Sequence, residues 1–509
     1  MYKVITVSLF CLLYYISSFS QILYKAINHY PGANYQTCSD LIVFKDKLFY
    51  MTFSSTNPNS REIASFDKSG IWTKFPHSSY FNGYGRPAIV GDTLYFSGSN
   101  GSDYELYKFD GVNPISLASD ILPGPVSSEP KNIISLSGRL FFEAYKPPTG
   151  RELYEYNPVT GIARLIADTR TGSSDGYARG LVVYNSCLFY VARDNDDKYQ
   201  IYRYEPSTGI VLKCTNNTGI YSPGNLSVLN GKLYFIYFDN VLVGNNGYQF
   251  YTIDSNNIVK KVTSINYSFI GPPGISAKAR YGGDSHGYGI LNNNLYFVLS
   301  DGNLGQDLYG YNLTTDVLYK VYHMNNLPTG YPLNSGYSFI EYKGKLYFNG
   351  DDSTHGIEFW EFDGSAPPKL ISDSNPGLGN FNPYCMINYD DKIFFSAQQT
   401  TGVFELHVFG DTTKSVVVSN SINKNANVKV YPVPILNNVT IEFESHSVTD
   451  CKISIVDNVG KIVHASEHRL PQTANMIVVP LNELPSGTYS IIITDKQGQL
   501  IANKMLMKY

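Results

Sequence analysis

Residues 138–157 read GRLFFEAYKPPTGRELYEYN, an aromatic cluster behind Leu140 followed 13 residues later by a second one behind Leu153. Almost the same phrase recurs eight times in the 509-residue chain. Its first anchors are Leu48, Leu94, Leu140, Leu188, Leu233, Leu295, Leu346 and Ile393, separated by 46, 46, 48, 45, 62, 51 and 47 residues. Its second anchors are Ile63, Leu106, Leu153, Ile201, Phe250, Leu308, Phe359 and Leu406, and five of the eight pairs are 13 residues apart. A period of about 45 to 50 residues with Gly, Asn and Asp turns holds four short strands plus loops, which is the content of a propeller blade.

In the third copy the strands are expected at 132–136, 139–145, 152–157 and 162–167. The second of them is apolar on both faces, with Leu140, Phe142 and Ala144 on one and Phe141 and Tyr145 on the other. A one-sided sheet would alternate instead. Sheets standing side by side cover each other's faces, so two-sided strands are what such packing requires. Pro-Gly turns at Pro31-Gly32, Pro123-Gly124 and Pro376-Gly377 each lie 17 residues before an anchor.

The expected fold is therefore all-β: an eight-bladed β-propeller over residues 21–410, followed by a linker at 411–427 and a small immunoglobulin-like β-sandwich over 428–509. Segment 22–28 (ILYKAIN) matches the ends of other copies and reads as the outer strand that completes the eighth blade. Residues 428–509 carry about seven short strands spaced roughly ten residues apart.

Composition narrows the function. Charged residues make up 16%, Tyr (43) and Phe (28) far outnumber Trp (2), net charge is −4 and the pI is near 6.2. No basic stripe exists for phosphate contacts, so a nucleic-acid partner is not expected. Residues 1–20 have the form of a signal peptide: Lys3, an apolar run from Val4 to Ile16, and Ser18-Phe19-Ser20 before a cleavage point at Gln21. A membrane anchor would need about 20 apolar residues and a stop-transfer flank. No later stretch is long enough, so the mature chain is expected to be exported without a transmembrane segment. Once Cys11 leaves, Cys38, Cys187, Cys214, Cys385 and Cys451 remain, an odd and scattered set that is no disulfide framework. Cys38 and Cys385 fall on the innermost strands of the first and last blades, where a disulfide latch can be tested geometrically.

The last unit resembles the C-terminal sorting domain of type IX secretion substrates in Bacteroidota. The features are Val430-Tyr431-Pro432-Val433-Pro434, Val459-Gly460-Lys461, Leu484-Pro485-Ser486-Gly487-Thr488-Tyr489, and a basic tail with Lys504 and Lys508. Val433 stands where that family usually has Asn. The resemblance implies engagement of the type IX machinery through 428–509, with Tyr431, Pro432, Pro434, Gly460, Gly487, Tyr489 and Lys508 as sorting residues, and delivery to the outer-membrane surface or the medium. The propeller copies resemble a repeat with Glu-Leu-Trp followed by Asp-Gly, seen here as Glu105-Leu106-Tyr107 before Asp110-Gly111 and Glu358-Phe359-Trp360 before Asp363-Gly364. That repeat implies fold and location, not chemistry.

Catalytic signals are weak. Gly283-Asp284-Ser285-His286-Gly287 matches G-x-S-x-G, but no helix follows to make a nucleophile elbow. Ser65 to Trp72 (SFDKSGIW) resembles the Asp-box of sialidase propellers with Gly70 displaced by one residue, and reads as a structural turn. Only 11 Arg are available to assemble a carboxylate-binding cluster. Asp194, Asp196 and Asp197 concentrate hard oxygen donors in a hairpin tip as a candidate Ca²⁺ site, with a solvated acidic turn as the alternative, and Asp351-Asp352 occupies the same place in the seventh copy. No other cofactor is indicated.

The excess length before Leu295 falls at 271–289, and long loops on a rigid scaffold tend to carry recognition residues. Lys278, Arg280, Tyr281, Asp284 and His286 are therefore the ligand-contact candidates, against a tolerated surface insertion. The leading reading is a secreted or surface module that binds an extracellular glycan or protein. The alternatives are a hydrolase or lyase acting on extracellular polysaccharide and a spacer without a ligand.

Overall fold

The computed structural model describes residues 21–27, 39–53, 61–68, 72–75, 87–99, 101–217, 223–239, 247–254, 256–262, 287–300, 306–325, 338–365, 367–400, 403–411, 428–431, 438–443, 450–457, 462–469, 476–481, 484–485, 487–495 and 500–508. Among these residues the chain is all-β, and no helix is long and apolar enough to cross a membrane. Eight four-stranded antiparallel sheets lie among the described residues before 412, one for each copy of the phrase. We number them 1 to 8 by the anchors they contain.

Sheet 3 is a simple meander of Lys131–Leu136, Arg139–Lys146, Gly150–Asn157 and Ile162–Ala167. Sheet 8 differs. Its first three strands are Tyr384–Tyr389, Lys392–Thr400 and Val403–Asp411, and the fourth is Gln21–Ile27 from the other end of the chain. Gln21 lies opposite Asp411 and Ile27 opposite Leu406 in that antiparallel pairing.

All the anchors are 3% exposed or less. The two faces of each second strand go to different neighbours. Leu140, Phe142 and Ala144 pack with Tyr95 and Leu106 of sheet 2, whereas Phe141 packs with Leu188, Tyr190 and Tyr204 of sheet 4. Each side chain of this size stabilises by about 1.5–3 kcal/mol when fully buried, and here that burial needs an adjoining sheet. Sheets 1 and 2, 4 and 5, 5 and 6, 6 and 7, and 7 and 8 share equivalent clusters. Leu48, Tyr50 and Phe66 of sheet 1 share another with Cys385, Ile387 and Phe394 of sheet 8. Across that contact the Tyr389 hydroxyl donates to the Asp46 carbonyl at 2.7 Å.

A bulge recurs where the first strand meets the second. The register slips between Ser39 and Ile42, Lys131 and Ile134, Arg179 and Val182, Gly224 and Ser227, and Tyr384 and Ile387. The inserted residue takes left-handed backbone at Asp40 (φ 55°), Asn132 (56°), Gly180 (61°) and Cys385 (54°). Asp, Asn and Gly tolerate this region best, which explains three of the four identities. Cys385 is fully buried there, while Cys38, its suggested latch partner, lies outside the described residues.

The C-terminal unit has a three-stranded sheet (Val428–Tyr431, Asn438–Phe443, Met476–Pro480) and a four-stranded one (Ile462–Arg469, Asp450–Val456, Gly487–Asp495, Leu500–Lys508). Alternate residues of both, including Val439, Ile441, Ile453, Ile455, Ile491 and Ile493, meet in one core. Among the sorting candidates, Tyr431 ends the first strand, Gly487 opens the sixth and Lys508 ends the last. Tyr489 is buried and its hydroxyl donates to the Pro485 carbonyl at 2.7 Å. Pro432, Pro434 and Gly460 lie outside the described residues.

The bulge is open to a direct test. Asn132→Gly is expected to leave the urea midpoint almost unchanged, whereas Asn132→Val should cost about 1–2 kcal/mol because a β-branched residue is strained in left-handed backbone.

Candidate functional site

In an antiparallel meander the start of strand one, the turn between strands two and three, and the end of strand four lie at the same end of the sheet. Every connection from one sheet to the next therefore emerges there. Segment 271–289 follows Val259–Lys261 in the sequence and runs up to Gly289–Leu291. Its ligand candidates Lys278, Arg280, Tyr281, Asp284 and His286 lie outside the described residues, and so does Ser285.

Three connections follow one eleven-residue frame: 120–130, 168–178 and 373–383. Each is held from below by a buried carboxylate that immediately precedes a second anchor. Glu105 accepts from the Ile121 and Ser128 amides at 2.8 and 3.0 Å and from the Ser128 hydroxyl at 2.6 Å. Glu152 accepts from the Thr169 amide and hydroxyl at 3.1 and 3.0 Å and from the Arg170 amide at 3.3 Å. Glu358 accepts from the Ser374 and Asn375 amides at 3.0 and 3.3 Å. A second clamp repeats as well: Ser127 Oγ, Asp175 Oδ1 and Asn380 Oδ1 accept, each at 2.9 Å, the amide of the residue just before that glutamate, namely Tyr104, Arg151 and Ile357.

Sheet 4 has Gln200 in place of the glutamate, and its surroundings are adapted to an amide. Gln200 Nε2 donates to the Asn217 carbonyl at 2.8 Å and to Asp194 Oδ2 at 3.0 Å, while its oxygen accepts from the Asn217 amide and the Thr215 hydroxyl. The Glu-Leu phrase was visible in the sequence; its task as a loop clamp was not, because the donors lie 16 to 23 residues further on.

The proposed Ca²⁺ ligands have other partners. Asp194 accepts from the Asp196 and Lys198 amides and from Lys213 Nζ at 3.0 Å. Asp197 Oδ1 pairs with Arg170 and Arg193 at 3.3 and 3.2 Å. Asp352 is likewise closed on its own turn, by the Thr354 and His355 amides and the His355 ring. Among the described residues, three carboxylates within 4.8 Å of one another occur at Asp103, Glu105 and Asp120 instead. Glu105 there already accepts three hydrogen bonds within the loop frame.

An arginine cluster does assemble, contrary to expectation. Arg151, Arg170, Arg179 and Arg193 meet where sheet 3 adjoins sheet 4, although up to 42 residues separate them in the chain. The Arg179 guanidinium lies 4.1 Å from the Tyr199 ring, and Arg193 lies 4.8 Å from that ring and 5.3 Å from Tyr177. Arg151 lies 5.8 Å from Tyr145, and it bridges Glu129 at 2.6 Å and Glu143 at 3.7 Å. Lys131 shares Glu129 at 3.0 Å. In sheet 8 the positions of Arg179 and Tyr199 are held by Tyr384 and Phe404, whose rings stack edge to face at 5.1 Å. The fold thus supplies a contact at this place, and in sheet 4 the sequence turns it into a cation on an aromatic face.

Electrostatics separate the carboxyls. Burial pushes Glu143 up to about 7 despite Arg151 and Lys131. Burial also pushes at Glu129, but hydrogen bonding and charge from Lys131 and Arg151 hold it below the usual range. Desolvation raises Glu152 to about 7 and Glu358 to about 8 against their loop donors.

Comparison with known proteins adds an address. Residues 429–508 match the secretion system C-terminal sorting domain. The chain is exported, to the cell surface or into the medium, and the sorting domain marks it for the type IX machinery. No curated protein sequence matches the chain. Solved structures with some likeness include a puromycin hydrolase (9% identity, TM-score 0.44, covering 73% of this chain and 61% of that one) and a puromycin-hydrolyzing peptidase of Mycobacterium tuberculosis (11%, 0.44, 72% and 57%). A third is the extracellular domain of a one-component system of B. thetaiotaomicron (11%, 0.31, 96% and 98%). The chain spans about 60% of the length of the puromycin-hydrolysing structures.

The clamp glutamates predict a pH dependence. Glu358 has its folded pKa at about 8, above the ordinary 4.5, so it favours the fold fully below pH 4.5 and this contribution is lost as pH rises towards 8. Thermal midpoints of the native chain should fall relative to those of Glu358→Gln between about pH 5 and pH 8, since the amide does not titrate. A constant offset between the two curves would show that Glu358 keeps one protonation state throughout.

Proposed function

We propose that the eight sheets are the blades of a closed β-propeller and that this ring is a binding module working outside the cell. The observation that carries the architecture is the shared core between sheets 1 and 8, reinforced by Gln21–Ile27 completing the last sheet. Binding follows from the site: the loops are fastened to rigid strands by buried carboxylates, and their common end presents half-buried tyrosines and guanidinium groups. Such a surface suits an extracellular glycan or protein partner, because tyrosine joins apolar area to a polar tip. The Glu-Leu-Tyr copies, including Glu105-Leu106-Tyr107, support membership in the Glu-Leu-Trp/Asp-Gly repeat group.

One observation supports an enzymatic second reading. Glu143, buried beside Arg151 with its pKa near 7, has the poise of a general acid or base for polysaccharide hydrolysis or elimination. Chain cleavage of a bound polysaccharide that is lost in Glu143→Gln would establish it.

A glycan array probed with the purified chain is the decisive test, and specific signals are expected. Silence across the array would leave a protein partner or a spacer. For export, removal of residues 428–509 is expected to strand the chain in the periplasm, read by fractionation; undiminished surface delivery would refute the route.

A further inference from the structure

The Arg170–Arg193 pair is held by an unusual partner. Both guanidinium groups converge on one oxygen of Asp197, at 3.3 and 3.2 Å, and the Asp197 side chain is 56% exposed at the hairpin tip. Arg193 Nε is buried without an acceptor. A guanidinium carries five donors, so this pair has far more donor capacity than one shared oxygen uses. Tyr177 and Tyr199 hold the Arg193 plane in place, and Arg179 covers Tyr199 as well. Rings on a planar cation restrict its rotation, which lowers the ordering cost when an anion arrives.

We propose that Arg170 and Arg193 bind a carboxylate or sulfate group of an anionic polysaccharide, and that Asp197 is the internal occupant which the ligand displaces. The inference rests on the glycan-binding reading above and names its ligand class. Asp197 sits on a turn that leads out of Cys187–Arg193, and it is the most exposed member of the cluster's ion pairs, so it can swing away without disturbing a strand. Lys131 and Arg151 continue the line on to sheet 3, where they share Glu129 as Arg170 and Arg193 share Asp197, so a polymer with repeated charge meets a second pair of cations held by one carboxylate. The half-buried Tyr145, Tyr177 and Tyr199 along that line offer ring area to sugar faces.

Titration of the full chain with polygalacturonate, dextran sulfate, neutral dextran and poly-glutamate tests this. Binding is expected to polygalacturonate or dextran sulfate, the comparison telling carboxylate from sulfate, and not to dextran. Arg170→Ala and Arg193→Ala should each weaken it about tenfold, the worth of a charge-assisted hydrogen bond. Asp197→Asn should strengthen it about threefold or more by removing the competitor. A merely structural ion pair would give no such gain. If Arg193→Ala lowers the thermal midpoint, Arg170→Ala decides, because among the described residues Arg170 lies over no ring.

Binding of neutral glycans that is unaffected by these variants would overturn the anionic site while preserving the glycan reading. Failure of every glycan, charged and neutral, would end both. Equal binding of poly-glutamate would overturn the assignment to sugar.

Discussion

The structure depends on sheets that are apolar on both faces. Phe141 and Phe142 are neighbours in one strand, and both are fully buried, which no sheet exposed on one side allows. Each face finds its cover in a different adjoining sheet, so no sheet is stable by itself and each makes its neighbour possible. The same constraint explains why the first and last sheets share a core: without it, sheets 1 and 8 would each present a wide aromatic face to water. Pairing of the N-terminal strand with Val403–Asp411 adds backbone hydrogen bonds to that contact.

Packing of this kind fixes the strands but leaves the connections to be ordered by other means. The chain uses one device repeatedly, a buried acid under the loop. Three backbone or hydroxyl donors around Glu152, and as many around Glu105, take the place of the water that the loop would otherwise need. Gly176 belongs to the same design, since a side chain there would collide with the Glu152 carboxylate. Where the acid is replaced by Gln200, the Asn217 carbonyl and Asp194 appear as acceptors, so the loop and the clamp change together. Asp194 thereby accepts from Gln200, Lys198 and Lys213 in sheet 4.

Fastened loops make a rigid platform, and sheets 3 and 4 carry its most concentrated chemistry. Equivalent positions in sheet 8 are filled by Tyr384 and Phe404, which only need to pack. Substitution of Arg179 and Tyr199 at the same two places keeps the stacking and adds charge. The cation–aromatic contact here is a variation on a packing contact that the repeat already contains.

The eight anchors, the approximate strands of each copy, the two-faced second strand and the C-terminal unit were legible in the sequence, because burial imposes a period that side-chain type records directly. The Arg151–Arg170–Arg179–Arg193 cluster was not. Its members come from strands and loops of two sheets, and no local pattern announces that a residue at a strand end will face another some 40 positions away. The glutamates before the second anchors of sheets 2, 3 and 7 were visible as letters, but their donors come from loops that only the meander brings back over them. Hydrophobic periodicity is a property of the chain, whereas the meeting of charges is a property of the fold, and tertiary structure alone decides it.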